Sequence, residues 1–179
     1  MTNIYKHLML DIETMGSQSY SSIVSIGAVE FDLDTGNVGE TFYRNINLKS
    51  CLDAGLIVNA DTIMWRLKQN EEARLALSKD TIELAQALLD FSIFCKNKDY
   101  EVWGNSARFD CGILGDAYNK LNLQIPWDFR KERDVRTLVS FAPDIKKNYK
   151  YEGVAHNALQ DCYNQIGYCT EIWKKLNTK

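Results

Sequence analysis

The chain contains 179 residues, of which 45% are hydrophobic and 25% are charged, and its formal net charge at pH 7 is −3. This length and composition predict one domain over residues 1–179, with a core large enough to fold without disulfides or a structural metal. The negative charge argues against a protein that coats nucleic acid, because such proteins are usually strongly basic, but it is compatible with an enzyme that has a carboxylate-lined metal site.

Three β-strands are predicted in the first third of the chain. Residues 6–13 form an apolar stretch that ends in acids, and residues 23–33 are rich in Ile, Val and Phe. The tetrapeptide Asp34-Thr35-Gly36-Asn37 is a turn signal, and residues 38–48 alternate between two faces as a strand does. We therefore expect an antiparallel meander of three strands.

Helices and shorter strands are predicted after the meander. Asp61 and Thr62 are expected to cap a short helix that carries residues 63–67, and residues 81–96 have the apolar spacing of a longer amphipathic helix. Residues 100–103 and 132–135 are predicted strands, residues 109–121 a helix, and residues 156–176 the region of a final long helix. This order predicts an α/β fold with a sheet of mixed sense, in which sites collect at strand ends and helix starts.

The first candidate site is Asp11-Ile12-Glu13, at the end of the first predicted strand. Residues i and i+2 of a strand point to the same face, so Asp11 and Glu13 project together. Paired carboxylates at this spacing are able to hold Mg²⁺ or Mn²⁺, which prefer oxygen ligands. The tripeptide alone more often belongs to a strand end that enters solvent with two surface acids, because D-x-E is a common pattern.

The second candidate is Asp110, which follows Asn105 and Phe109 where a strand gives way to a helix. By itself it is an ordinary helix-start acid of the kind that the helix dipole favours. The third is the pair His156 and Asp161. Five residues on an ideal helix correspond to about 140° of rotation, so the two side chains converge only if His156 precedes the helix.

These three patterns, in this order and spacing, resemble the sequence motifs of the DEDDh exonucleases, a ribonuclease-H-like family. The motifs are D-x-E on the first strand, N…(F/Y)-D at a later helix start, and H-x-A-x-x-D on the last helix, and the resemblance spans Leu8 to about Cys162. Trp103-Gly104-Asn105 and the meander resemble the branch that holds the bacterial exoribonuclease RNase AS and the phage exonuclease DexA.

The resemblance implies a ribonuclease-H-like mixed sheet and a metal-dependent 3′–5′ exonuclease. Asp11, Glu13, Asp110 and Asp161 would bind two Mg²⁺ or Mn²⁺ ions about 3.5–4 Å apart, and His156 would take a proton from the attacking water. The substrate would be the 3′ end of a single-stranded nucleic acid, with RNA slightly favoured over DNA, and the products nucleoside 5′-monophosphates.

Substrate contacts are also implied by the resemblance. Thr14 and Met15 would contact the terminal nucleotide, Trp65 is a candidate stacking platform, and Asn105 a candidate hydrogen-bonding partner. Trp65 is equally compatible with the core of a short helix, and Asn105 with a plain turn. Two basic clusters are either phosphate guides or solvated surface charge: Arg130, Lys131, Arg133 and Arg136 in one, and Lys146, Lys147 and Lys150 in the other.

Three rival functions remain open from the sequence. The first is an exonuclease whose substrate is single-stranded DNA. The second is an inactive exonuclease fold that binds nucleic acid, and the third is an endonuclease of the ribonuclease H type. A homodimer that uses residues 81–96 or the meander is also open.

The five cysteines form no C-x-x-C pair and there are only two histidines, so no zinc cluster is expected and the thiols should be reduced. We find neither a signal-peptide pattern nor an apolar run long enough to span a membrane, and we expect a cytoplasmic protein.

Overall fold

The computed structural model describes residues 5–96, 98–153 and 156–178. The strands, in chain order, are β1 (His7–Thr14), β2 (Ile23–Phe31), β3 (Val38–Ile46), β4 (Thr81–Ile82), β5 (Glu101–Gly104) and β6 (Glu132–Asp134). The α-helices are α1 (Leu48–Asp53), α2 (Ala60–Leu67), α3 (Glu71–Ala76), α4 (Leu84–Cys95), α5 (Ala107–Lys120), α6 (Val135–Ser140), α7 (Pro143–Asn148) and α8 (Ala158–Asn177), and Phe129–Lys131 forms a 3₁₀ turn.

The six strands form one mixed sheet in the order β4-β3-β2-β1-β5-β6. The predicted meander is confirmed, since β2 pairs antiparallel with both β1 and β3. Strand β5 lies parallel to β1, and β6 lies parallel to β5. The sheet is therefore the α/β sheet of mixed sense that the sequence predicts.

Helices cover both faces of the sheet. On one face, side chains of α4 and α5 such as Leu88 and Leu114 pack with Leu10 and Ile26 of the strands. On the other face, the core joins α6 and α8 to β1 and β2. Strand β2 is buried along its whole length, which fits its apolar sequence because a strand covered on both faces needs no polar alternation.

One predicted helix starts too early. Residues 81–96 were expected to be helical, but Thr81 and Ile82 form β4, which pairs with Asn45 and Ile46 at the end of β3, and the helix begins at Leu84. The β-branched side chains of Thr81 and Ile82 suit an extended strand. The sheet edge therefore overrides the helical spacing in these residues.

The capping prediction for the short helix is also wrong. The N-cap of α2 is Asn59, whose side chain accepts a hydrogen bond from the backbone N–H of Thr62, and Asp61 lies in the first turn. The predicted third strand ends at Ile46, because Asn47 caps α1 instead of continuing β3. The other predicted elements agree with the structure to within a few residues.

No helix among the described residues is long and apolar enough to cross a membrane. The five cysteines are all buried as free thiols.

Candidate active site

Strand β1 ends in two buried acids that face the α8 side of the sheet. Ile12 belongs to the core under α4 and α5, whereas Met9 belongs to the core under α8. Alternation along the strand therefore directs Asp11 and Glu13 to the α8 side. Asp11 is 8% exposed and Glu13 is 7% exposed, so both carboxylates need partners to offset the loss of water.

Asp110 reaches the same strand end from the first turn of α5. Its Oδ1 accepts a hydrogen bond from the backbone N–H of Ile12 at 3.3 Å, and its Oδ2 accepts one from the N–H of Ser106 at 3.1 Å. A side chain on Gly104 would bring its Cβ to 2.9 Å from the Cβ of Asp110. The glycine at the end of β5 thus allows α5 to place Asp110 beside β1.

His156 precedes the last helix, as its convergence with Asp161 requires. Helix α8 begins at Ala158, and Asn157 caps it by accepting a hydrogen bond from the N–H of Gln160 at 3.1 Å. His156 has a left-handed backbone with φ of 63°. Ligand atoms of Glu13, His156 and Asp161 all lie within 4.8 Å of one another.

The acids are close enough to repel one another. Burial raises the pKa of Asp11 well above its usual range, and the charges of Asp110, Glu13 and Asp161 raise it further, whereas a hydrogen bond from Gln165 opposes the rise. Burial also raises the pKa of Asp110 to about 7. The pKa of Asp161 is raised as well, by burial.

This donor set fits a divalent cation. Carboxylate oxygens are the preferred ligands of Mg²⁺ and Mn²⁺. Burial and the repulsion among the acids raise the pKa values of Asp11 and Asp110. A cation bound among the carboxylates would offset both effects. The imidazole of His156 lies beside Glu13 and Asp161.

The sequence analysis missed two side chains that contact the clustered acids. The Nη2 of Arg66, on α2, donates to the Oε2 of Glu13 at 2.6 Å, and its Nε donates to the carbonyl oxygen of Thr14 at 2.9 Å. The Nε2 of Gln165, on α8, donates to the Oδ1 of Asp11 at 2.8 Å. Gln165 lies four residues after Asp161 on one helix face, a spacing that sequence analysis could have used, whereas nothing local marks Arg66.

The acids and His156 line one cleft of about 310 Å³. Eight of the nine predicted site residues line this cleft: Asp11, Glu13, Thr14, Trp65, Asn105, Asp110, His156 and Asp161. The ninth, Met15, lines a neighbouring apolar pocket of about 380 Å³, which Arg66 also borders. The sequence motifs thus converge in space, with Met15 beside the cleft and not within it.

The predicted substrate contacts have different surroundings. The Thr14 hydroxyl donates to the carbonyl oxygen of Gly16, which ties it to the turn after β1. Trp65 is 41% exposed, and its ring meets the ring of His156 edge-on at 4.9 Å between centroids. The Oδ1 of Asn105 is buried and has no hydrogen-bond partner among the described residues.

Most of the basic residues that were considered as phosphate guides are paired elsewhere. Arg130, Lys131 and Arg133 form salt bridges with Asp128, Asp99 and Glu101, in that order. Lys146 lies over the Tyr168 ring at 5.2 Å. Arg136 is the member of the two clusters that lines the cleft.

Family and structure comparisons agree with this geometry. The model of the Rv2179c-like 3′–5′ exoribonuclease domain matches residues 6–173. The chain is similar to the nuclease domain of 3′hExo, a DEDDh family member solved with bound rAMP, with a TM-score of 0.61 and 13% identity over 98% of this chain and 95% of that one. No curated protein sequence matches the chain.

Two further solved structures are similar in fold. Cell-death related nuclease 4 (CRN-4) matches with a TM-score of 0.64 and 12% identity, over 94% of this chain and 64% of that one. The zinc-bound complex of E. coli ExoI with single-stranded DNA matches with a TM-score of 0.66 and 16% identity, over 96% of this chain. The chain spans 40% of the ExoI chain.

The family model covers nearly the whole chain, and the solved structures share its mixed sheet. The chain belongs to the Rv2179c-like 3′–5′ exoribonuclease domain family, a family of nucleases with the ribonuclease-H-like fold of the DEDDh exonucleases.

Proposed function

We propose that this protein is a metal-dependent 3′–5′ exonuclease that removes nucleotides one at a time from single-stranded RNA. The observation that carries the proposal is the convergence of the acids from β1, α5 and α8 with His156 in one cleft. A phosphodiesterase that works through divalent ions needs several carboxylates within one small volume. The family description, an exoribonuclease domain, supports the same activity.

Asp11, Glu13, Asp110 and Asp161 are the residues that would hold two Mg²⁺ or Mn²⁺ ions. When bound, such ions supply positive charge to the phosphate in the transition state and lower the pKa of the attacking water. The buried position of Asp11 and Asp110 limits water around them, and hydrogen bonds from Gln165 and the Ile12 N–H fix their direction. The carboxylates would therefore be oriented before substrate arrives.

His156 would act as the general base. Histidine is the side chain that most often serves as a general base in enzymes, and this ring lies at the edge of the acidic cluster. As His156 removes a proton from water, the water oxygen bonds to phosphorus and the bond from phosphorus to the 3′ oxygen breaks. The products are a nucleoside 5′-monophosphate and a shortened strand with a 3′-hydroxyl group.

The residues around the cleft would recognise the 3′ end. Trp65 offers an exposed aromatic ring, and stacking of a base on such a ring contributes about 1–3 kcal/mol. The Asn105 Oδ1, which lacks a partner among the described residues, is an acceptor suited to a hydroxyl or amino group of the terminal nucleotide. Thr14 and Met15 would contribute through the turn that follows β1.

The strand would leave the cleft along a polar groove of about 710 Å³ beside the start of α5. The groove and the cleft share the residues Ser17, Ser106, Phe109 and Arg136. Arg108 and Arg136 line the groove, and neither forms a salt bridge within the described residues. Two unpaired guanidinium groups beside a polar surface are suited to the phosphates upstream of the scissile bond.

Single-stranded DNA is the alternative substrate. One solved neighbour is described as a 3′-exonuclease that recognises the 3′ end of histone mRNA stem-loop, and another is bound to single-stranded DNA. These descriptions belong to those proteins, and both sugars therefore have to be tested on this chain. An inactive module that only binds nucleic acid is the further alternative.

The test is digestion of matched RNA and DNA oligomers that carry a label at the 5′ end, with Mg²⁺ or Mn²⁺ and with chelator. The proposal expects a metal-dependent ladder that shortens from the 3′ end, with faster loss of RNA, and oligo-A should be among the substrates. Faster loss of DNA would favour the exodeoxyribonuclease alternative. Binding without digestion of either oligomer would favour the inactive module.

A further inference from the structure

Glu13 differs from the other acids in the cleft because it already has a cationic partner. Asp11 is held by the neutral amide of Gln165, and Asp110 is held by backbone N–H groups. Glu13 forms a salt bridge with Arg66, and the two side chains are each only 10% exposed. Among the described residues, this is the one salt bridge that involves an acid of the cleft.

Arg66 is fixed on more than one side. Its Nη2 donates to the Oε2 of Glu13, while its Nε donates to the carbonyl oxygen of Thr14, the next residue on β1. The guanidinium carbon also lies 5.4 Å from the centroid of the Trp65 ring. The planar guanidinium is therefore anchored to backbone and cannot follow Glu13 freely if the carboxylate turns.

The salt bridge occupies one of the two carboxylate oxygens of Glu13. An oxygen that accepts a hydrogen bond from a fixed guanidinium is crowded and partly neutralised, which makes the other oxygen, Oε1, the better ligand for an ion. Monodentate carboxylates suit the small octahedral Mg²⁺ ion, whereas Ca²⁺ accepts more oxygen ligands and often binds a carboxylate through both. An arginine that holds one oxygen of Glu13 would therefore favour Mg²⁺ over Ca²⁺.

We propose that Arg66 is a positioning residue that keeps Glu13 a monodentate ligand and so makes the site select Mg²⁺ over Ca²⁺. This inference rests on the proposed metal-dependent function. Arg66 touches Glu13 and not the reacting atoms, so its effect on the reaction is indirect. Its positive charge also offsets part of the repulsion among the clustered acids before an ion binds.

The test is calorimetric titration of the metal-free protein with Mg²⁺ and, separately, with Ca²⁺, for the wild type and for Arg66→Met. Methionine has a similar length but no charge and no donor. We expect the ratio of Ca²⁺ affinity to Mg²⁺ affinity to rise about tenfold, a change as large as the smaller losses of metal affinity that follow removal of a ligand's partner. A merely structural role would weaken both ions together and leave the ratio unchanged.

Arg74→Met is the matched control. Arg74 lies on α3, and its Nη1 donates to the backbone carbonyls of Leu67 and Gln69. The control should keep the wild-type ratio. The inference is overturned if Arg66→Met keeps the wild-type ratio, or if Arg74→Met changes it as much.

Arg66→Lys decides the question if the methionine variant does not fold. Lysine keeps the charge but cannot bond Glu13 and the Thr14 carbonyl with a rigid fork. A rise in the ratio of Ca²⁺ affinity to Mg²⁺ affinity, smaller than the rise expected for Arg66→Met, supports the inference. A wild-type ratio overturns it. Absence of any ion binding to the wild type would instead contradict the proposed function, which separates the two failures.

Discussion

His156 and Asp161 are five residues apart, and their approach depends on one residue of left-handed backbone. His156 has φ of 63° and lies before the N-cap of α8, while Asp161 lies in the first turn of that helix. Left-handed backbone is uncommon for residues other than glycine, although asparagine, aspartate and histidine adopt it more often than most, and such backbone is frequent at functional sites. The structure thus supplies the bend that the sequence analysis required for convergence.

Replacement of His156 with alanine should separate turnover from metal binding. We expect turnover to fall by about 10²–10⁴-fold, since a general base contributes in that range, while the acids keep their affinity for Mg²⁺. Single-turnover kinetics and calorimetry measure the two quantities.

The control is His7→Gln. His7 is the other histidine of the chain, at the opposite end of β1, where its Nδ1 accepts a hydrogen bond from Trp103. This variant should keep wild-type turnover. Full activity of the His156 variant would contradict the role of general base.

At the residue scale, the motifs predicted which side chains meet, but not what holds them. The pairing of Arg66 with Glu13 joins residues 53 positions apart in the sequence, and no local pattern encodes such a contact. The position of Met15 is another example. It follows Thr14 directly, yet the turn after β1 directs it to the apolar pocket beside the cleft.

At the element scale, the site depends on how closely α8 approaches β2. Gly27 of β2 is the register partner of Asp11 on β1. A Cβ at Gly27 would lie 2.5 Å from the carbonyl carbon of Ala158, at the start of α8. The missing side chain therefore lets the helix that carries Asp161 lie directly against the sheet.

Gly27→Ala should push the start of α8 outward, because the clash is with backbone that cannot rotate away. We expect a loss of about 1–3 kcal/mol in the free energy of unfolding, as for other overpacked sites, together with weaker metal binding. Urea unfolding and calorimetry measure these effects.

Gly112→Ala is the control for this change. Gly112 lies in α5, and apart from the adjoining backbone of that helix no atom of the described residues lies within 4 Å of a Cβ placed there. Its stability should stay the same or rise by up to about 1 kcal/mol, since alanine favours helix. Equal stability of the Gly27 variant and the wild type would contradict the close approach of α8.

The predicted helices and strands agree with the structure where the periodic pattern extends over many residues. They disagree with it where an element is very short or lies at the edge of the sheet. The long apolar strands β1 and β2 and the helix α8 follow from their patterns. The two-residue strand β4 does not, because it is defined by pairing with β3 and not by its own sequence. The six-residue helices α1, α3, α6 and α7 are too short to show a helical period.

At the scale of the whole molecule, the acids should make the stability of the metal-free protein depend on pH. Burial raises the pKa of Asp110 to about 7 in the folded protein, and an unfolded aspartate has a pKa near 3.9. The folded state thus binds more protons between these values, so stability should fall as pH rises from about 4 to about 7. Thermal unfolding in chelator measures this fall.

Added Mg²⁺ should reverse the trend, because the ion binds the deprotonated acids. At about a hundred times the dissociation constant, the ion should add about 2.7 kcal/mol to the free energy of unfolding. Asp110→Asn should flatten the fall in chelator and reduce the effect of Mg²⁺. Stability that rises between pH 4 and pH 7 in chelator would contradict the raised pKa.

The topology of the sheet was only partly predictable. The meander follows from three consecutive strand patterns, but the positions of β4, β5 and β6 depend on packing between distant segments. The family resemblance implied the same sheet, and the structure agrees with it. The motifs converge because β1 lies between β2 and β5, which places the starts of α8 and α5 on either side of its end.

The most direct test of the central claim is digestion of linear and circular single strands by the wild type and by Asp110→Asn, with identification of the released products. The account predicts that the wild type with Mg²⁺ shortens the linear strand from its 3′ end, releases nucleoside 5′-monophosphates and leaves the circle intact, while Asp110→Asn loses most of this activity. Cleavage of the circle, or full activity in Asp110→Asn, would contradict an exonuclease that works through the carboxylates of this cleft.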